Sequence, residues 1–300
     1  MRLTNKKIEK LRFTIFNVLQ NVLHWQIEEL KFIDNGVNNA VFLIKEKNSG
    51  MLAIRTPWRT EDNLNDINLS VRSLKKESVI SDHCYKYKIP VPKVHKLYLS
   101  DEINFLVSDF VSGDNKEIAS FDIGQLTSKL HKIPLDNLSI IGQHERPLTN
   151  IISHRITERV NTLRKLTNTN FVISEELESI LNTTQTENCL LHLDIRQPNL
   201  IGENGIIKGI IDWDNAFIGN PIMELMRISE SKEINEEEFL KGYNDTEIIG
   251  NTDGVIQSIY RLDTALMLSI LFISFLEDST KRDYYLKRVH FLSQEINNRL

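Results

Sequence analysis

The sequence predicts an α+β fold in two lobes, with an antiparallel sheet in the first lobe and mainly helices in the second. Between residues 29 and 110, short β-like runs alternate with turn sequences, as they do in antiparallel hairpins. Beyond Gly113, apolar residues recur with the helical period over most of the chain. A length of 300 residues suits two lobes better than one core, and we place the boundary between residues 1–112 and 113–300.

The first lobe is predicted to contain two helices and five strands. Asp34–Asn39 and Asn48-Ser49-Gly50 have the chemistry of hairpin turns and therefore separate the first three strands. The second helix must end before Ile89, because Pro90 disfavours helical geometry at the residue before it. In chain order we expect a helix at Leu3–Leu23, strands at Glu29–Ile33, Ala40–Lys45 and Met51–Arg55, a helix at Asn68–Tyr87, and strands at Val94–Leu99 and Asn104–Phe110.

A hinge is expected at Phe110-Val111-Ser112-Gly113, because glycine gives the backbone freedom to turn. The second lobe is helical except at Leu191–Ile211, where short strands are expected around a loop. Its helices are predicted at Phe121–His131, Asn150–Leu166, Ser174–Asn182, Pro221–Ser229, Asn235–Tyr243 and Asp253–Leu276, with a last helix that ends at about Asn298.

The segment from residue 190 to residue 221 contains the strongest functional pattern in the chain. His192, Asp194 and Asn199 form H-x-D-x-x-x-x-N, and Asp212 follows thirteen residues later, behind the apolar run Ile206–Ile211. Each residue alone would more often cap a turn, hold a loop or end a strand. Phosphoryl transfer from a nucleotide needs one carboxylate at the acceptor hydroxyl, and an Asn and a second carboxylate that hold Mg²⁺ on the phosphates. The combination at this spacing therefore favours phosphoryl transfer.

The sequence I-D-W-D-N-A-x-x-G-x-P, which begins at Ile211, resembles the aminoglycoside phosphotransferase and choline kinase family. The resemblance extends from about Glu28 to Leu276 and is strongest at residues 190–224. It implies a protein-kinase-like fold and a kinase that acts on small molecules. A protein kinase is disfavoured, because D-F-G and A-P-E are missing and only nine residues separate Asp212 from Pro221.

The resemblance assigns roles to the residues of this segment. Asp194 would accept or orient the proton of the acceptor hydroxyl, and Asn199 and Asp212 would be the Mg²⁺ ligands. Arg196 either stabilises charge on the transferring phosphoryl group or holds a helix carboxylate, and the two alternatives are equally favoured. Leu193 departs from the family pattern H-G-D, where a glycine precedes the aspartate.

Two further residues of the segment are expected to be structural. His192 would tie the catalytic loop to its surroundings. Asp214 would either approach the metal or water or cap the next turn, and the cap is favoured. Asn220-Pro221 followed by Glu224 resembles the family sequence D-P-x-x-D-L, in which the proline opens a helix. Leu130-His131 resembles the L-H pair of the family that closes the helix after the hinge, and its expected role is packing.

The first lobe contains the expected nucleotide-binding residues. Arg55 occupies the position at which kinases have the lysine that holds the α- and β-phosphates, and Glu77 on the following helix is its expected partner. In the first hairpin, Gly36 and Asn38 would cover the triphosphate with backbone N–H groups. The segment Asp109–Val111 would offer a backbone C=O and N–H to the adenine. Asp109 and Val111 are therefore the remaining expected nucleotide-binding residues.

Composition excludes several classes of protein. The chain is 41% hydrophobic and 26% charged, which argues against disorder, and a net charge of −5 argues against a general nucleic-acid binder. Two cysteines form no disulfide framework, and the longest apolar run, Leu266–Leu276, is too short to span a membrane. We therefore expect a cytoplasmic protein that binds neither nucleic acid nor membrane, and monomer and dimer stay equally open.

Charge is distributed unevenly along the chain. Residues 1–112 contain 17 basic and 13 acidic side chains, whereas residues 113–300 contain 19 and 28. A basic first lobe suits a nucleotide triphosphate. An acidic second lobe, with Glu230, Glu233 and Glu236–Glu238 clustered, suits a cationic acceptor, although a solvated surface explains it equally well.

The sequence thus predicts a phosphotransferase that uses ATP or GTP with Mg²⁺ to phosphorylate a hydroxyl of a small molecule. An aminoglycoside-type antibiotic is one expected acceptor. The alternatives are a kinase of choline, homoserine or a sugar-type metabolite, and a nucleotide-binding pseudokinase that acts as a binding module.

Overall fold

The structure, a computed structural model, describes residues 3–36, 38–58, 67–114, 116–140, 147–169, 171, 174, 176–183, 187–276 and 278–299, with the side chains of 67–70 left undescribed. It consists of two compact units. The first unit contains Met1–Lys116 and Asn199–Asp214, and the second contains Glu117–Pro198 and Asn215–Leu300. The segment at 199–214 thus groups with the first unit, although the sequence analysis places it in the second lobe; the lobe boundary after residue 112 stays a prediction.

Nine strands are present in the described part of the chain. They are β1 (Ile27–Asn35), β2 (Asn39–Glu46), β3 (Gly50–Pro57), β4 (Val94–Tyr98), β5 (Phe105–Asp109), β6 (Cys189–Leu191), β7 (Leu200–Glu203), β8 (Ile206–Ile210) and β9 (Phe217–Gly219).

The α-helices among the described residues cover most of the second unit and two segments of the first. They are α1 (Asn5–Asn17), α2 (Ile67–Lys86), α3 (Ser120–His131), α4 (Leu148–Thr167), α5 (Leu177–Leu181), α6 (Pro221–Ser231), α7 (Glu236–Tyr243), α8 (Glu247–Gly250), α9 (Gly254–Ser274) and α10 (Ser279–Asn298).

The first unit is built on a five-stranded antiparallel sheet with the strand order β1-β2-β3-β5-β4. Alternate residues of its central strands point to one face, where Phe42, Ile44, Leu52 and Ile54 are fully buried. Helix α1 and the π-helical turn Val18–Val22 that follows it pack apolar residues into the same core. Burial of each large apolar side chain stabilises the fold by about 1.5–3 kcal/mol.

The hairpin of β7 and β8 belongs to the first unit and joins it through backbone hydrogen bonds. Ile210 N donates to Pro90 O at 2.8 Å, and Asp114 N donates to Gly202 O at 2.8 Å. A Cβ at Gly113 would lie 2.9 Å from Gly202 O, so glycine is required there for close approach of the two backbones. This contact adds a second reason for a glycine at the expected hinge.

The second unit packs helices around α9, which contacts α4, α6 and α10. By length and composition α9 is apolar enough to cross a membrane, with a mean hydropathy of 1.4 over 18 residues, and no other helix in the described part of the chain is. However, 67% of that window is buried inside the protein, which is typical of a core helix. A cytoplasmic location stays a prediction.

The α+β class, with an antiparallel sheet followed by a mainly helical region, is confirmed. The bounds of the long helices differ from the predicted ones by a few residues. The largest difference is at the first helix, whose α-helical part ends at Asn17 and continues as a π-helical turn to Val22, whereas the prediction runs to Leu23. Propensity and periodicity identify an element better than they identify its ends.

Helices α3 and α7 approach each other closely because each contributes a glycine to their contact. A Cβ at Gly242 would lie 1.9 Å from Phe121 O, and a Cβ at Gly124 would lie 2.1 Å from Phe239 O. Both neighbouring atoms belong to the backbone, so a methyl group cannot be accommodated by a change of rotamer.

We expect Gly242→Ala to lower the melting temperature by several degrees, since overpacking a helix contact costs about 1–3 kcal/mol. Gly250→Ala is the matched control, because Gly250 is also helical and has no atom within 4 Å of the added Cβ. Differential scanning calorimetry of both variants measures the effect. Equal melting temperatures for the two would contradict the close packing of α3 and α7.

Candidate functional site

A buried ion cluster surrounds Arg55 in the first unit. Arg55 lies near the end of β3, and the side chain is 16% exposed. Its guanidinium forms the predicted ion pair with Glu77 of α2. It also lies 2.8 Å from Asp212 Oδ1 and 3.2 Å from Asp214 Oδ2. One arginine thus connects β3, α2 and the segment that follows β8.

Three carboxylates face this guanidinium, and even with Lys76, whose Nζ donates to the Asp214 carbonyl, the cluster has one more negative than positive charge. Burial alone would lower the pKa of Arg55, but the charges of Glu77, Asp214 and Asp212 raise it far above its usual range. Burial, opposed by the charge of Arg55 and supported by the charges of Asp214 and Asp212, raises the pKa of Glu77 to about 7. A cation added near Asp212 would relieve this imbalance.

Asn199 and Asp212 are brought near each other by the β7–β8 hairpin. The backbone N–H of Ile211 donates to Asn199 O at 3.0 Å, and Asn199 is 5% exposed. Asp212 has a φ of 68°, a left-handed conformation that few residues other than glycine adopt without strain. The surrounding hydrogen bonds therefore hold the Asp212 carboxylate in a position that the local backbone does not favour.

The amide and carboxylate oxygens of Asn199 and Asp212 are the ligand atoms that Mg²⁺ prefers. In the searched part of the chain, no group of three or more His, Cys, Asp and Glu side chains forms a metal site. Mg²⁺ needs no such group, because waters and phosphate oxygens usually complete its octahedron. The two residues and the excess negative charge therefore fit a magnesium ion that binds together with a nucleotide.

Asp214 does not have the capping role that the sequence analysis favours. Its Oδ1 accepts a hydrogen bond from Ser73 Oγ, its backbone carbonyl accepts one from Lys76 Nζ, and its other carboxylate oxygen faces Arg55. Helix α2 thus holds Asp214 directly. Sequence reasoning missed Ser73, although its i, i+4 spacing from Glu77 places both on one face of α2.

Asn39, which the sequence analysis did not select, lies beside Arg55. With its amide oxygen turned toward the guanidinium, Asn39 accepts hydrogen bonds from Arg55 at 2.8 and 3.0 Å. Asn39 begins β2 and is 9% exposed. The predicted residue Asn38 instead has its carbonyl bonded by Trp58 N at 3.0 Å.

The hairpin loop at Gly36 is fixed by backbone contacts. Gly36 N donates to Asn39 O at 2.9 Å, and Trp58 Nε1 donates to Gly36 O at 3.1 Å. A Cβ at Gly36 would have its nearest neighbour at 3.9 Å, so packing among the described residues does not require glycine there. Val37 lies outside the described residues.

The segment expected to bind adenine follows β5. Asp109 N donates to Lys93 O at 2.9 Å, and the Asp109 carboxylate lies 2.6 Å from His95 Nε2. Phe110 N donates to Met51 O at 3.3 Å. Val111 makes no hydrogen bond to another residue that the structure describes, so its backbone groups are available to a ligand.

In the second unit, a buried hydrogen-bond chain positions the loop that contains Asp194. Glu224 of α6 is fully buried and accepts bonds from His192 N at 2.9 Å and Leu193 N at 2.6 Å. His131 Nε2 lies 3.0 Å from Glu224, and its Nδ1 lies 2.9 Å from the Tyr243 hydroxyl. His131 and Glu224 are thus joined by a hydrogen bond rather than by packing alone.

Glu224 remains ionised in this buried position because its partners stabilise the charge. Burial alone would raise its pKa, but the hydrogen bond and charge of His131, with contributions from His192, hold the pKa below the usual range. Asn220 caps the same helix by accepting from Ile222 N at 2.9 Å, and Pro221 opens it. The first turn of α6 is thus fixed by the cap at Asn220 and by the bonds of Glu224 to the loop.

The departure from the family pattern at Leu193 occurs at a strained position. Leu193 has a φ of 57°, in the left-handed region, and is 1% exposed. A left-handed leucine costs about 1–2 kcal/mol relative to glycine. Burial of its side chain offsets this cost, which explains how a leucine occupies a position where the family usually has glycine.

Two guanidinium groups flank Asp194. Arg196 Nε lies 3.3 Å from Asp194 Oδ2, and an Arg227 terminal nitrogen lies 3.7 Å from Asp194 Oδ1. His192 is fully buried, and its Nδ1 accepts from Asp194 N at 3.2 Å. Among the described residues, Arg196 forms no ion pair with a helix carboxylate. Sequence reasoning missed Arg227, which comes three residues after Glu224 on α6.

The acidic cluster at Glu230–Glu238 does not form an open acidic surface throughout. Glu230 is 2% exposed and receives two hydrogen bonds from Arg288, at 2.7 and 2.8 Å. Glu237 and Glu238 lie in the first turn of α7, where the helix dipole stabilises acidic side chains, and both form ion pairs with Lys241. The structural explanation of these residues therefore needs no ligand.

Comparisons with known proteins were made for the whole chain. A model of the family described as "Phosphotransferase enzyme family" matches residues 29–252. No curated protein sequence matches the chain.

Several solved structures have a similar fold. A ternary complex of a thermostable mutant of aminoglycoside phosphotransferase APH(4)-Ia with AMP-PNP and hygromycin B has a TM-score of 0.66 and 14% identity, covering 93% of this chain and 97% of that one. ADP-bound aminoglycoside phosphotransferase APH(2'')-Ib has a TM-score of 0.60 and 18% identity, covering 97% of each chain. A Haemophilus somnus 129PT protein provisionally assigned as fructosamine-3-kinase has a TM-score of 0.68 and 17% identity, covering 94% of this chain and 99% of that one. The TM-scores show a shared fold, and at these low identities the similarity extends to the fold alone.

We expect Glu224→Gln to lower the urea midpoint, because a buried charged acceptor of three hydrogen bonds is worth about 1–3 kcal/mol. Since the folded-state pKa of Glu224 is lowered, its stabilising contribution is present above the ordinary carboxyl pKa and is lost as pH falls through the folded value. The difference between wild type and variant should therefore be largest at neutral pH and should shrink in acid.

The control is Glu238→Gln, whose side chain is 50% exposed and should change the midpoint little at any pH. Urea titrations at several pH values measure both variants. An unchanged urea midpoint of Glu224→Gln at neutral pH would contradict the role of the buried hydrogen-bond chain in holding the loop.

Proposed function

Because the chain belongs to the phosphotransferase enzyme family, whose model matches residues 29–252, we propose that it transfers the γ-phosphate of ATP to a hydroxyl group of a small molecule. The observation that carries this proposal is the ion cluster of Arg55, Glu77 and Asp212. Its residue types are those that phosphoryl transfer requires on the nucleotide side.

ATP is favoured over GTP as the phosphate donor. The structural neighbours whose descriptions name a nucleotide contain AMP-PNP or ADP, and nothing favours GTP. In this chain, Arg55 would donate its hydrogen bonds to the phosphates, and Glu77 would keep the guanidinium in place. The backbone of Gly36 and Asn38 would cover the triphosphate, and the backbone of Asp109 and Val111 would bind the adenine.

Asn199 and Asp212 would hold Mg²⁺, which when bound neutralises charge on the phosphate oxygens. The left-handed backbone at Asp212 would keep its carboxylate oriented for this role, and Arg55, which contacts the same carboxylate, would donate to the phosphates.

In the second unit, Asp194 would orient the acceptor hydroxyl and accept its proton as the oxygen attacks phosphorus. The hydrogen bond of its backbone to His192 and the contacts of Glu224 with the loop fix its position. Arg196, next to Asp194, would stabilise the charge that develops on the transferring phosphoryl group. The chemistry thus depends mainly on positioning and charge neutralisation.

We expect Asp194→Asn to reduce kcat by at least about 10²-fold while the affinity for AMP-PNP stays unchanged, because the variant loses the proton acceptor but not the nucleotide contacts. Coupled-enzyme assays and calorimetric titration measure the two quantities. Asp136→Asn, an exposed aspartate of the same unit, is the control. A kcat of Asp194→Asn close to that of the wild type would contradict the proposed role of Asp194 as proton acceptor.

We expect Asp212→Asn to raise the Mg²⁺ concentration needed for half-maximal binding of a fluorescent ATP analogue by about tenfold or more, since a charged ligand oxygen is lost. Asp101→Asn, an exposed aspartate of the first unit, should leave the Mg²⁺ titration unchanged. Overlapping Mg²⁺ curves for wild type and Asp212→Asn would argue against the proposed metal ligands.

A further inference from the structure

A cluster of arginines lies in the second unit, and one of its members, Arg227, contacts Asp194. Arg155 and Arg159 are one turn apart on α4, and both bind Asp263 of α9. Arg155 binds the two Asp263 carboxylate oxygens at 3.1 and 2.6 Å, and Arg159 binds one of them and the Asp263 backbone carbonyl, the latter at 3.0 Å. Arg227 of α6 is the third member, 3.7 Å from Asp194.

This cluster contains more positive than negative charge. Arg155, Arg159, Arg196 and Arg227 face two carboxylates, those of Asp194 and Asp263. Glu224 is occupied by His131 and by the backbone of the loop. Burial, together with the charges of Arg155 and Arg227, lowers the pKa of Arg159 to about 10 despite the contact with Asp263. The electrostatic environment of Asp194 is therefore locally basic.

Several guanidinium donors of the cluster have no protein acceptor among the described residues. Arg227 is 8% exposed, yet it forms no hydrogen bond there and has only the ion pair at 3.7 Å. The contacts of Arg159 use a single terminal nitrogen, which leaves its Nε and other terminal nitrogen unused. None of these nitrogens is among the buried side-chain atoms that lack a partner, so their N–H groups reach solvent and can donate to a ligand that accepts them.

The exposed part of the cluster can reach a ligand from solvent. The Arg155 and Arg159 side chains are 24% and 20% exposed, whereas Asp263, between them, is 2% exposed. Because both Asp263 oxygens are already bonded, the carboxylate orients the two guanidinium groups and leaves their remaining N–H groups for another acceptor. A planar guanidinium matches a carboxylate or phosphate with two parallel hydrogen bonds.

We infer that the small-molecule acceptor carries an anionic group, a carboxylate or a phosphate, which Arg155, Arg159 and Arg227 bind next to Asp194. This inference rests on the proposed phosphotransfer and names the chemical class of its acceptor. The hydroxyl that is phosphorylated and the anionic group belong to one compact molecule, because Arg227 is 3.7 Å from Asp194. A polycationic acceptor is disfavoured by the same excess of positive charge.

Matched ligand pairs that differ in charge test this inference. The probes are glucuronate against glucuronamide, glucose 6-phosphate against glucose, and kanamycin as the polycation, each titrated at constant ionic strength into the protein saturated with AMP-PNP and Mg²⁺. Calorimetry measures affinity, and a radiolabelled ATP assay measures transfer. We expect an anionic member to bind at least about tenfold more tightly than its neutral partner.

Arg159→Gln should remove that preference, because it deletes one charge while Arg155 still pairs with Asp263 through two hydrogen bonds. Arg159→Lys should restore it in part, since the charge returns without the planar fork. Arg288→Gln is the matched control. Arg288 is 24% exposed, close to the 20% of Arg159, and also binds a buried carboxylate, that of Glu230, so its loss should affect stability but not ligand preference.

The inference is overturned if no anionic probe binds, if neutral or cationic probes bind as well as anionic ones, or if Arg159→Gln keeps the preference. A preference for the carboxylate or for the phosphate member identifies which anion the cluster fits. Failure of the inference differs from failure of the proposed function. If AMP-PNP does not bind, the proposed function fails, whereas transfer to kanamycin without anion binding refutes the inference alone.

Discussion

The guanidinium of Arg55 holds together parts of the first unit that are far apart in the chain, since its partner Asp212 is 157 residues away. It connects the end of β3 with α2 and with the turn that follows β8. Removing its charge would leave the nearly buried Glu77 carboxylate without its partner, next to the partly exposed carboxylates of Asp212 and Asp214, and a buried charge without a partner is costly. The positions of α2 and of the Asp212–Asp214 turn therefore depend on this one side chain.

The second unit also contains a buried charge with several partners, and there the central group is a carboxylate. Glu224 is a buried carboxylate that receives hydrogen bonds from the backbone of His192 and Leu193 and from the His131 ring. These bonds compensate for its loss of water and at the same time determine the path of the loop before Asp194. In each unit, a buried charge and its hydrogen-bond partners fix the position of the candidate catalytic side chains. Each site also contains one residue with a strained, left-handed backbone, Asp212 in the first unit and Leu193 in the second.

Local charge in the second unit differs from its overall charge. The residues after 112 are acidic in sum, and that sum suggested a cationic acceptor equally as well as a solvated surface. Folding places Glu237 and Glu238 in pairs with Lys241, whereas Arg196 and Arg227 flank Asp194, and Arg155 and Arg159 of α4 bind Asp263. Because Coulomb interactions between exposed charges are screened beyond about 10 Å, the few charges next to Asp194 matter more to a ligand than the total.

The sequence by itself determined the fold class, the order of most elements and the pair Arg55–Glu77, because hydrophobic period, turn residues and motif spacing are local properties of the chain. It also selected Asp194, Asn199 and Asp212 by residue type and spacing, whose roles stay predictions. Only the tertiary structure decided the partners of Asp214, the placement of Asn39 beside Arg55, and the convergence of Arg155, Arg159 and Arg227. Those contacts join helices and strands that are distant in sequence. A local sequence pattern does not specify which arginine side chains come together when the helices pack.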